Sequence, residues 1–488
     1  MVTDRIPTAT GERLRRVATA VDLPPLATGK VKFALTFIGD GSSAIGASAV
    51  AFDGLGNVYA GGSYRSSTTI DLGNGKSLPA NSTQVDGFIA KFDATGKCLW
   101  TSVLSSADNG DEFVVSLAVA PNGDAVFAAQ TRGSTSVKLD SAPVATRIAE
   151  GIALGRLNAS GQQVFLRTLA SAGYTYPEAI AVDGTGRIAL TGKYTREAID
   201  PAFDGIVANP PLTPTPKPIG FLAILNSSGV TTALKAFPSP LGSVSHAVAF
   251  APDGNVVVGG EFEGTVELRF GESPGQAAPS AGSNDAWIAK VDTTTTKILW
   301  ATAFGGTGND CVQGLAVDPA GGVSAAFQYS TSLLVGGATL PAPGGPNDIG
   351  IVRLDSKGGG AVAFGYGSAT IDRPQSIAVN RWGEVVVGGY IGATTAFGTK
   401  LATASSGSAG DGFLAKLSPT GAGQWAYGIG GSGGTDEVTS VAVDRQGLVA
   451  AVGTLGTLDG SGSEISFFGN TVNVGAGKRA AFLVVTNP

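Results

Sequence analysis

The side chains whose types could do chemistry are few: one histidine, two cysteines and a set of recurring acids. Nucleophilic catalysis by Ser or Cys needs a base and an acid to orient it. His246 is the only histidine, and neither Cys98 nor Cys311 stands at a defined spacing from it and an acid, so the spacing supports no triad. His246 reads as a hydrogen-bonded channel residue. Each cysteine lies in an apolar, strand-like run, so both read as buried thiols acting as small hydrophobes rather than as a disulfide framework. The acids recur at two aligned positions. One holds Glu112, Asp310, Asp372 and Asp436; the other holds Asp86, Asp285, Asp348 and Asp411. Carboxylates are hard ligands of the kind Ca²⁺ collects from loops, which makes the second set the metal candidates. No dense DxDxDG loop is present, however, and a position repeated copy after copy usually serves the repeat. Asp at a loop–strand junction accepts backbone N–H bonds and fixes the turn. The expectation is therefore structural acids, no catalytic residue and no cofactor, with Ca²⁺ as the alternative. A recurring base (Lys91, Arg156, Lys290, Arg353, Lys416) reads as stems covering the blade faces, with heads reaching water or nearby acids. Trp382, in a hairpin turn, reads as exposed.

These residues must be positioned by a repeat. The phrase AVAFDGLGNVYAGG from Ala49 returns as VAFAPDGNVVVGG from Val248 and IAVNRWGEVVVGG from Ile377, among seven copies. Their turn glycines, Gly56, Gly123, Gly186, Gly254, Gly321, Gly383 and Gly447, recur every ~65 residues. A second half follows in each copy, as in DGFIAKFDATGKCLWTSVL from Asp86. Each unit thus holds strand A, a Gly turn, strand B, a longer insert, strand C, a short turn and strand D. Alternation of period two supports strands over helices. A repeated four-stranded antiparallel unit predicts an all-β chain folded as a single seven-bladed β-propeller. The repeats lie near 48–106, 113–171, 176–239, 245–306, 311–368, 373–432 and 437–488. Small residues in strand A suit a crowded central channel. Trp100, Trp300 and Trp425, with Phe165 and Phe33 at the same position, predict core packing between neighbouring sheets.

The seventh copy stops at a strand C, and the missing strand D stands at the other end of the chain: residues 29–40 match the segment from Gly96. The last blade is thus expected to be completed by the N-terminal strand, which removes exposed edges. The propeller is read as 29–488 and residues 1–28 as an extension, a linker or a short helix over 10–21 ended by Pro24 and Pro25. It lacks the apolar core of a signal peptide. The net charge of −6 gives no basic footprint for nucleic acid, and no apolar run is long enough to span a membrane.

The recurring AVDxxGxVxxxG, DGFxAK and GGxGxD phrases resemble a bacterial family of seven-bladed propeller repeats. The resemblance implies a secreted or cell-envelope setting and no particular activity. The topology fixes sidedness. The A–B and C–D turns share one face, and the B–C inserts and D–A connections share the other. The inserts (65–85, 132–150, 195–218, 262–284, 329–347, 391–410 and 455–479) are long and divergent, and variable loops on a rigid scaffold are where binding is built. The insert at 201–218 carries six prolines, with Phe203, Asp204 and Lys217 as contact candidates. Glu112, Asp310, Asp372 and Asp436 join them as candidates on that face. The functional expectation is a non-catalytic scaffold that takes a protein or glycan partner there. The alternatives are a lyase or hydrolase using acids at the channel mouth, and a glycan-binding propeller.

Overall fold

The computed structural model describes residues 2–6, 13–17, 28–38, 44–106, 110–133, 136–140, 145–146, 150–169, 174–195, 217–266, 278–279, 282–360, 362–405, 410–431, 434–456, 463–467, 470–474 and 479–488. Seven antiparallel four-stranded blades form a ring. Blade 1 shows the plan: strand A is Ala44–Phe52, B is Val58–Ser66, C is Asn81–Phe92 and D is Cys98–Ser106. The A strands of blades 2 to 7 are Asp111–Val119, Thr175–Val182, Gly242–Phe250, Cys311–Val317, Asp372–Val379 and Glu437–Val443. Each A–B turn closes on a glycine in the left-handed region, where any side chain would be strained, from φ 76° at Gly383 to 87° at Gly447. Asp or Asn at the turn start accepts the backbone bonds that tighten it; Asp53 Oδ1, for instance, accepts from Leu55 N and Asn57 N, both at 2.9 Å.

Closure is as expected. Val31–Ile38 pairs with Arg479–Thr486, the C strand of blade 7, in the register Phe33↔Val485 to Ile38↔Ala480. Phe37 is buried in the core between blades 7 and 1, with Phe33 and Leu35 packed beside it. Val2–Ile6 and Arg13–Val17 pair only with each other, Asp4 opposite Arg15. This hairpin replaces the short helix expected over 10–21. Both arms begin or end on β-branched residues, and Gly11 lies between them, a combination that favours a strand pair over a helix.

The strand D rings sit on the next blade's C–D turn. A Cβ added to Gly96 would lie 2.8 Å from the Phe33 ring, one on Gly161 2.7 Å from Trp100, and one on Gly358 2.6 Å from Trp300. Trp100 and Trp300 also donate their indole N–H groups to the Ala159 and Ser356 carbonyls of those turns. These aromatics are inter-blade packing, and the turn glycines leave room for them.

The inserts are less free than their divergence implies. In blade 1 the hairpin Ile70–Gly73/Lys76–Leu78 packs against strand D of its own blade and of blade 7, burying Ile70, Leu72 and Leu78. In blade 5, Leu333–Val335/Ala338–Leu340 does the same and buries Leu333, Val335 and Leu340. In blade 6, Phe397 stacks on Phe413 at 5.2 Å. Two inserts extend the preceding sheet. Ser136–Leu139 of blade 2 pairs with strand D of blade 1, and Ser463–Phe467 of blade 7 pairs with strand D of blade 6. Inserts therefore wedge the outer seams and cover strand edges.

Candidate functional site: the central channel and its two faces

All seven A strands carry a β-bulge at the same repeat position, and the bulged residues are Ser48, Val115, Glu178, His246, Gln313, Gln375 and Thr439. A bulge leaves one residue outside the ladder and re-aims its side chain. Here the seven line a central cavity of about 250 Å³. The residue after each bulge is small, and the three serines at that position tie neighbouring A strands together. Ser116 accepts from Ile180 N, Ser376 from Val441 N and Ser440 from Val50 N, at 3.1–3.2 Å.

One arc of this ring is charged. Glu178, on strand A of blade 3, meets Lys193 of the adjacent strand B, Nζ to Oε1 at 3.1 Å. Its other oxygen lies 3.5 Å from His246 Nδ1 on blade 4. Glu261, on strand B of blade 4 (Val256–Glu263), places Oε1 3.7 Å from His246 Nε2. Cys311, at the start of strand A of blade 5, completes the group: ligand atoms of His246, Glu261 and Cys311 lie within 4.8 Å of one another. Gln313 donates its amide N–H to Cys311 Sγ at 3.3 Å. Burial works against a charged imidazole. The Cys311 sulfur when ionised, and the Glu178 and Glu261 carboxylates, nevertheless hold its pKa well above the ordinary value. Both glutamates are lowered, because His246 and Lys193 outweigh the burial that would raise them. Burial pushes the Cys311 thiol up to about 11. At neutral pH the thiol is therefore protonated, and the two carboxylates are the acids that face the imidazole.

The structure thus assembles a histidine, a cysteine and acids that sequence spacing could not connect. His246 is a channel residue, as expected, but it lies within strand A and in company. Glu178, Lys193 and Glu261 were missed. The repeat held the signal: the bulge position is uncharged in blades 1, 2, 5, 6 and 7, and the position of Lys193 and Glu261 is Ser63, Gln130, Gln328, Tyr390 and Thr454 elsewhere. Ionisable residues at both positions occur only in blades 3 and 4.

Three acids of the insert-bearing face act on backbone, and one of them, Asp310, immediately precedes Cys311. Asp310 accepts from Gly306 N at 2.7 Å and Ser330 N at 3.1 Å, and Asp436 from Gly431 N at 3.2 Å and Gly456 N at 2.9 Å. Asp372 accepts from Gly392 N at 3.1 Å and from Ser368 N. All three, with Glu112, are fully buried. The second set stands one blade back, at the start of strand C. Asp348 accepts from Gly344 N, Asp86 from Asn81 and Gln84, and Asp411 from Ser405 N; Asp285, buried like them, lies against Gly305. Asp348 and Asp372, and Asp411 and Asp436, repel across blade seams. Burial raises the pKa of Asp86, Asp310, Asp348 and Asp372, and takes Asp436 to about 7. Lys217 is exposed; Phe203 and Asp204 lie outside the described residues.

On the turn face the recurring bases form ion pairs, buried at Lys91, Arg156 and Lys416, open to water on the Asp253 side of Lys290, and looser at Arg353, 3.7 Å from Asp318. Lys91 meets Asp53 at 3.3 Å, Arg156 meets Asp124 at 2.8 Å, Lys290 meets Asp253 at 2.7 Å and Lys416 meets Glu384 at 2.9 Å. Lys91 and Arg156 also donate to carbonyls of the next blade, Ala159 and Ser227. Their heads are drawn inward because the turn acids and these carbonyls supply what water would. Trp382 is half-buried, with the Arg381 guanidinium 4.4 Å above its ring.

No helix among the described residues is long and apolar enough to cross a membrane. No protein-family model matches the chain, and no curated protein matches it in sequence. Among solved structures it is similar to Sqt1 from Chaetomium thermophilum (12% identity, 86% of this chain and 96% of that one, TM-score 0.41). It is also similar to the Dos1 propeller (10%, 93% and 95%, 0.36) and to quinohemoprotein alcohol dehydrogenase from Comamonas testosteroni (10%, 91% and 76%, 0.40). At these identities and scores the likenesses bear on neither activity nor partner.

Proposed function

We propose that this propeller is a non-catalytic binding scaffold whose protein partner docks on the insert-bearing face around blade 3. One observation carries the reading. Tyr174 and Leu241, in the D–A connections on either side of blade 3, keep 51% and 46% of their surface exposed on that face. Large apolar groups left in water beside a loop are characteristic of contact surfaces. The insert at 201–218 springs from the same blade, and exposed Lys217 stands at its base. Described inserts of blades 1, 5 and 6 pack one side into rim seams, and Leu334 and Leu401 stand exposed on the outer side of the latter two. Asp310, Asp372 and Asp436, the acids of the channel-mouth alternative, accept backbone N–H bonds, which supports a structural role for them. An envelope or extracellular setting belongs to this proposal and rests on the repeat resemblance.

The test is photo-crosslinking from position 203 in the native organism, with fractionation of the product. A single protein adduct in the envelope or medium, lost when Tyr174 and Leu241 are both changed to Ser in a folded protein, is the expected result. A protein adduct that survives both changes, or capture of glycan alone, overturns the reading.

A further inference from the structure

The charged arc of the channel has the parts of a metal centre. Its donors are an imidazole nitrogen, a carboxylate oxygen and a sulfur, the mixed set that suits Zn²⁺ and its neighbours rather than Ca²⁺ or Mg²⁺. His246 Nε2 is buried and makes no hydrogen bond, so its lone pair or proton has no better partner. Glu261 Oε1 already stands 3.7 Å from it. Two ligands of a tetrahedral ion bound at roughly 2.1 Å lie about 3.4 Å apart, so that pair needs little movement. The remaining separations, within 4.8 Å, close by about an ångström.

The surroundings fit as well. Glu178 faces the other imidazole nitrogen, the arrangement that fixes the tautomer of metal-bound histidine and turns Nε2 toward the ion. Lys193 holds Glu178 in place. Gln313 donates to Cys311 Sγ and so supports a sulfur that carries charge. Both Glu178 and Gln313 also line the channel cavity, which gives an ion a way in and leaves a fourth position for water.

We infer that His246, Glu261 and Cys311 form a three-ligand site for a Zn²⁺-type divalent transition metal, with its open position on the central channel. The bound ion takes the place of the protons on His246 Nε2 and Cys311 Sγ, which leave to solvent along the channel. No electron is transferred. The site is independent of the partner face, because it lies on the inner strands and the proposed partner surface on the outer connections.

Cobalt titration of the purified full-length chain tests it. The expected result is a thiolate-to-cobalt absorption band that saturates at one equivalent and is bleached by Zn²⁺. Cys311→Ser should abolish the band and Cys98→Ser should keep it. Glu178→Gln, which leaves all three ligands, should weaken Zn²⁺ affinity 10–100-fold. If Cys311→Ser does not fold, His246→Gln replaces it, and a folded His246→Gln chain that binds Zn²⁺ as tightly as the wild type overturns the site. Absence of a one-equivalent band in the wild type, or a band lost in Cys98→Ser instead, also overturns it.

Discussion

On the turn face, Asp53 lies against the Lys91 ammonium and Asp253 against that of Lys290; on the insert face, Asp436 shares its seam with Asp411. Both faces place acids at the junctions of the blades, Asp253 half exposed and Asp53, Asp411 and Asp436 buried, yet their titration differs in sign. Burial alone would raise all of them. At Asp53, bonds from Asn57 and Leu55 and the charge of Lys91 outweigh it, and at Asp253, Lys290 and Asn255 do, so both pKa values fall. At Asp436 the Gly456 and Gly431 N–H groups do not outweigh burial, and the neighbouring acid adds to it, so the pKa rises to about 7. The repeat thus gives the ring two kinds of seam. One is held by charge pairs, and the other by buried acids of raised pKa on backbone.

That contrast presupposes a closed ring, and breaking closure has the largest expected effect. Deleting residues 1–38 removes Phe33, Leu35 and Phe37 from the core between blades 7 and 1 and exposes the edge of Arg479–Thr486. A loss of at least ~5 kcal/mol, enough to prevent a cooperative melt, follows from the cost of emptying buried aromatic sites. Deleting 1–28 removes the self-paired N-terminal hairpin and the Thr28 N–H bond to the Pro488 carbonyl but no blade strand, and should leave the melting temperature nearly unchanged. Coincident melts of the two truncations would refute closure as a stabilising device.

Next comes the turn face. Lys416 is fully buried and Glu384 nearly so. Lys416→Met strands a carboxylate that keeps only Asn380 and Gln424 as side-chain donors. Removing one partner of a buried pair costs about 3–5 kcal/mol. Adding Glu384→Gln should recover part of it, because no uncompensated charge is then left. Urea unfolding of both variants measures the difference. Equal losses would mean that packing, not charge, holds this seam.

The insert face is probed by pH. The folded pKa of Asp436, about 7, lies above its unfolded value of 3.8, so the folded chain holds the extra proton between them. That contribution is complete below the unfolded value and is lost as pH rises through 7. The lowered acids of the turn face act the other way: their contribution is present above the unfolded value and is lost as pH falls below it. Between pH 5 and pH 8 wild-type stability should fall relative to Asp436→Asn by on the order of 2 kcal/mol. The slope, not the absolute stability, is the readout, since an amide cannot accept both backbone bonds equally. Parallel slopes would place Asp436 in the ordinary carboxylate range.

Much of this was legible in the sequence, and the reason is geometric. A left-handed turn position admits glycine almost alone, so seven such glycines announce seven blades. The N-terminal strand was legible because strand D keeps its ring, Phe33, for a glycine in the next blade. Of the acids read as turn-fixing, Asp310, Asp348, Asp372, Asp411 and Asp436 accept backbone bonds, whereas Asp86 accepts from the Asn81 and Gln84 side chains. Two things were hidden. The inserts share no pattern, so their apolar residues, such as Leu72 and Phe397, gave no sign that they fill seams. The His246 cluster draws on three consecutive blades and three different repeat positions, and spacing along one chain cannot bring Glu178, Glu261 and Cys311 together. Only the ring does.

The smallest expected effect sharpens the comparison within the turn face itself. Five C–D turns place glycine in the left-handed region, from φ 77° at Gly229 to 88° at Gly96. Blade 4 has Asp292-Thr-Thr-Thr-Thr-Lys297 instead, and Thr296 takes φ 56°. The turn is one residue longer: Thr296 N reaches back to Asp292 O, whereas Gly96 N reaches Asp93 O. This junction also lacks the recurring base on strand C of blade 3. Arg187 serves it from the A–B turn, donating to Gly254 O at 2.9 Å and Thr293 Oγ1 at 3.0 Å. A β-branched residue at positive φ costs about 1–2 kcal/mol, and glycine gives some of that back as unfolded-state entropy. Thr296→Gly should therefore stabilise the protein by about 0.5–1 kcal/mol, with the urea midpoint rising at constant slope. Thr293→Ala, in the same turn, should destabilise it by about 1 kcal/mol through the lost Arg187 bond. If Thr296→Gly instead lowers the midpoint, the threonine side chain is what holds the longer turn, and blade 4 is braced by the residue that strains it.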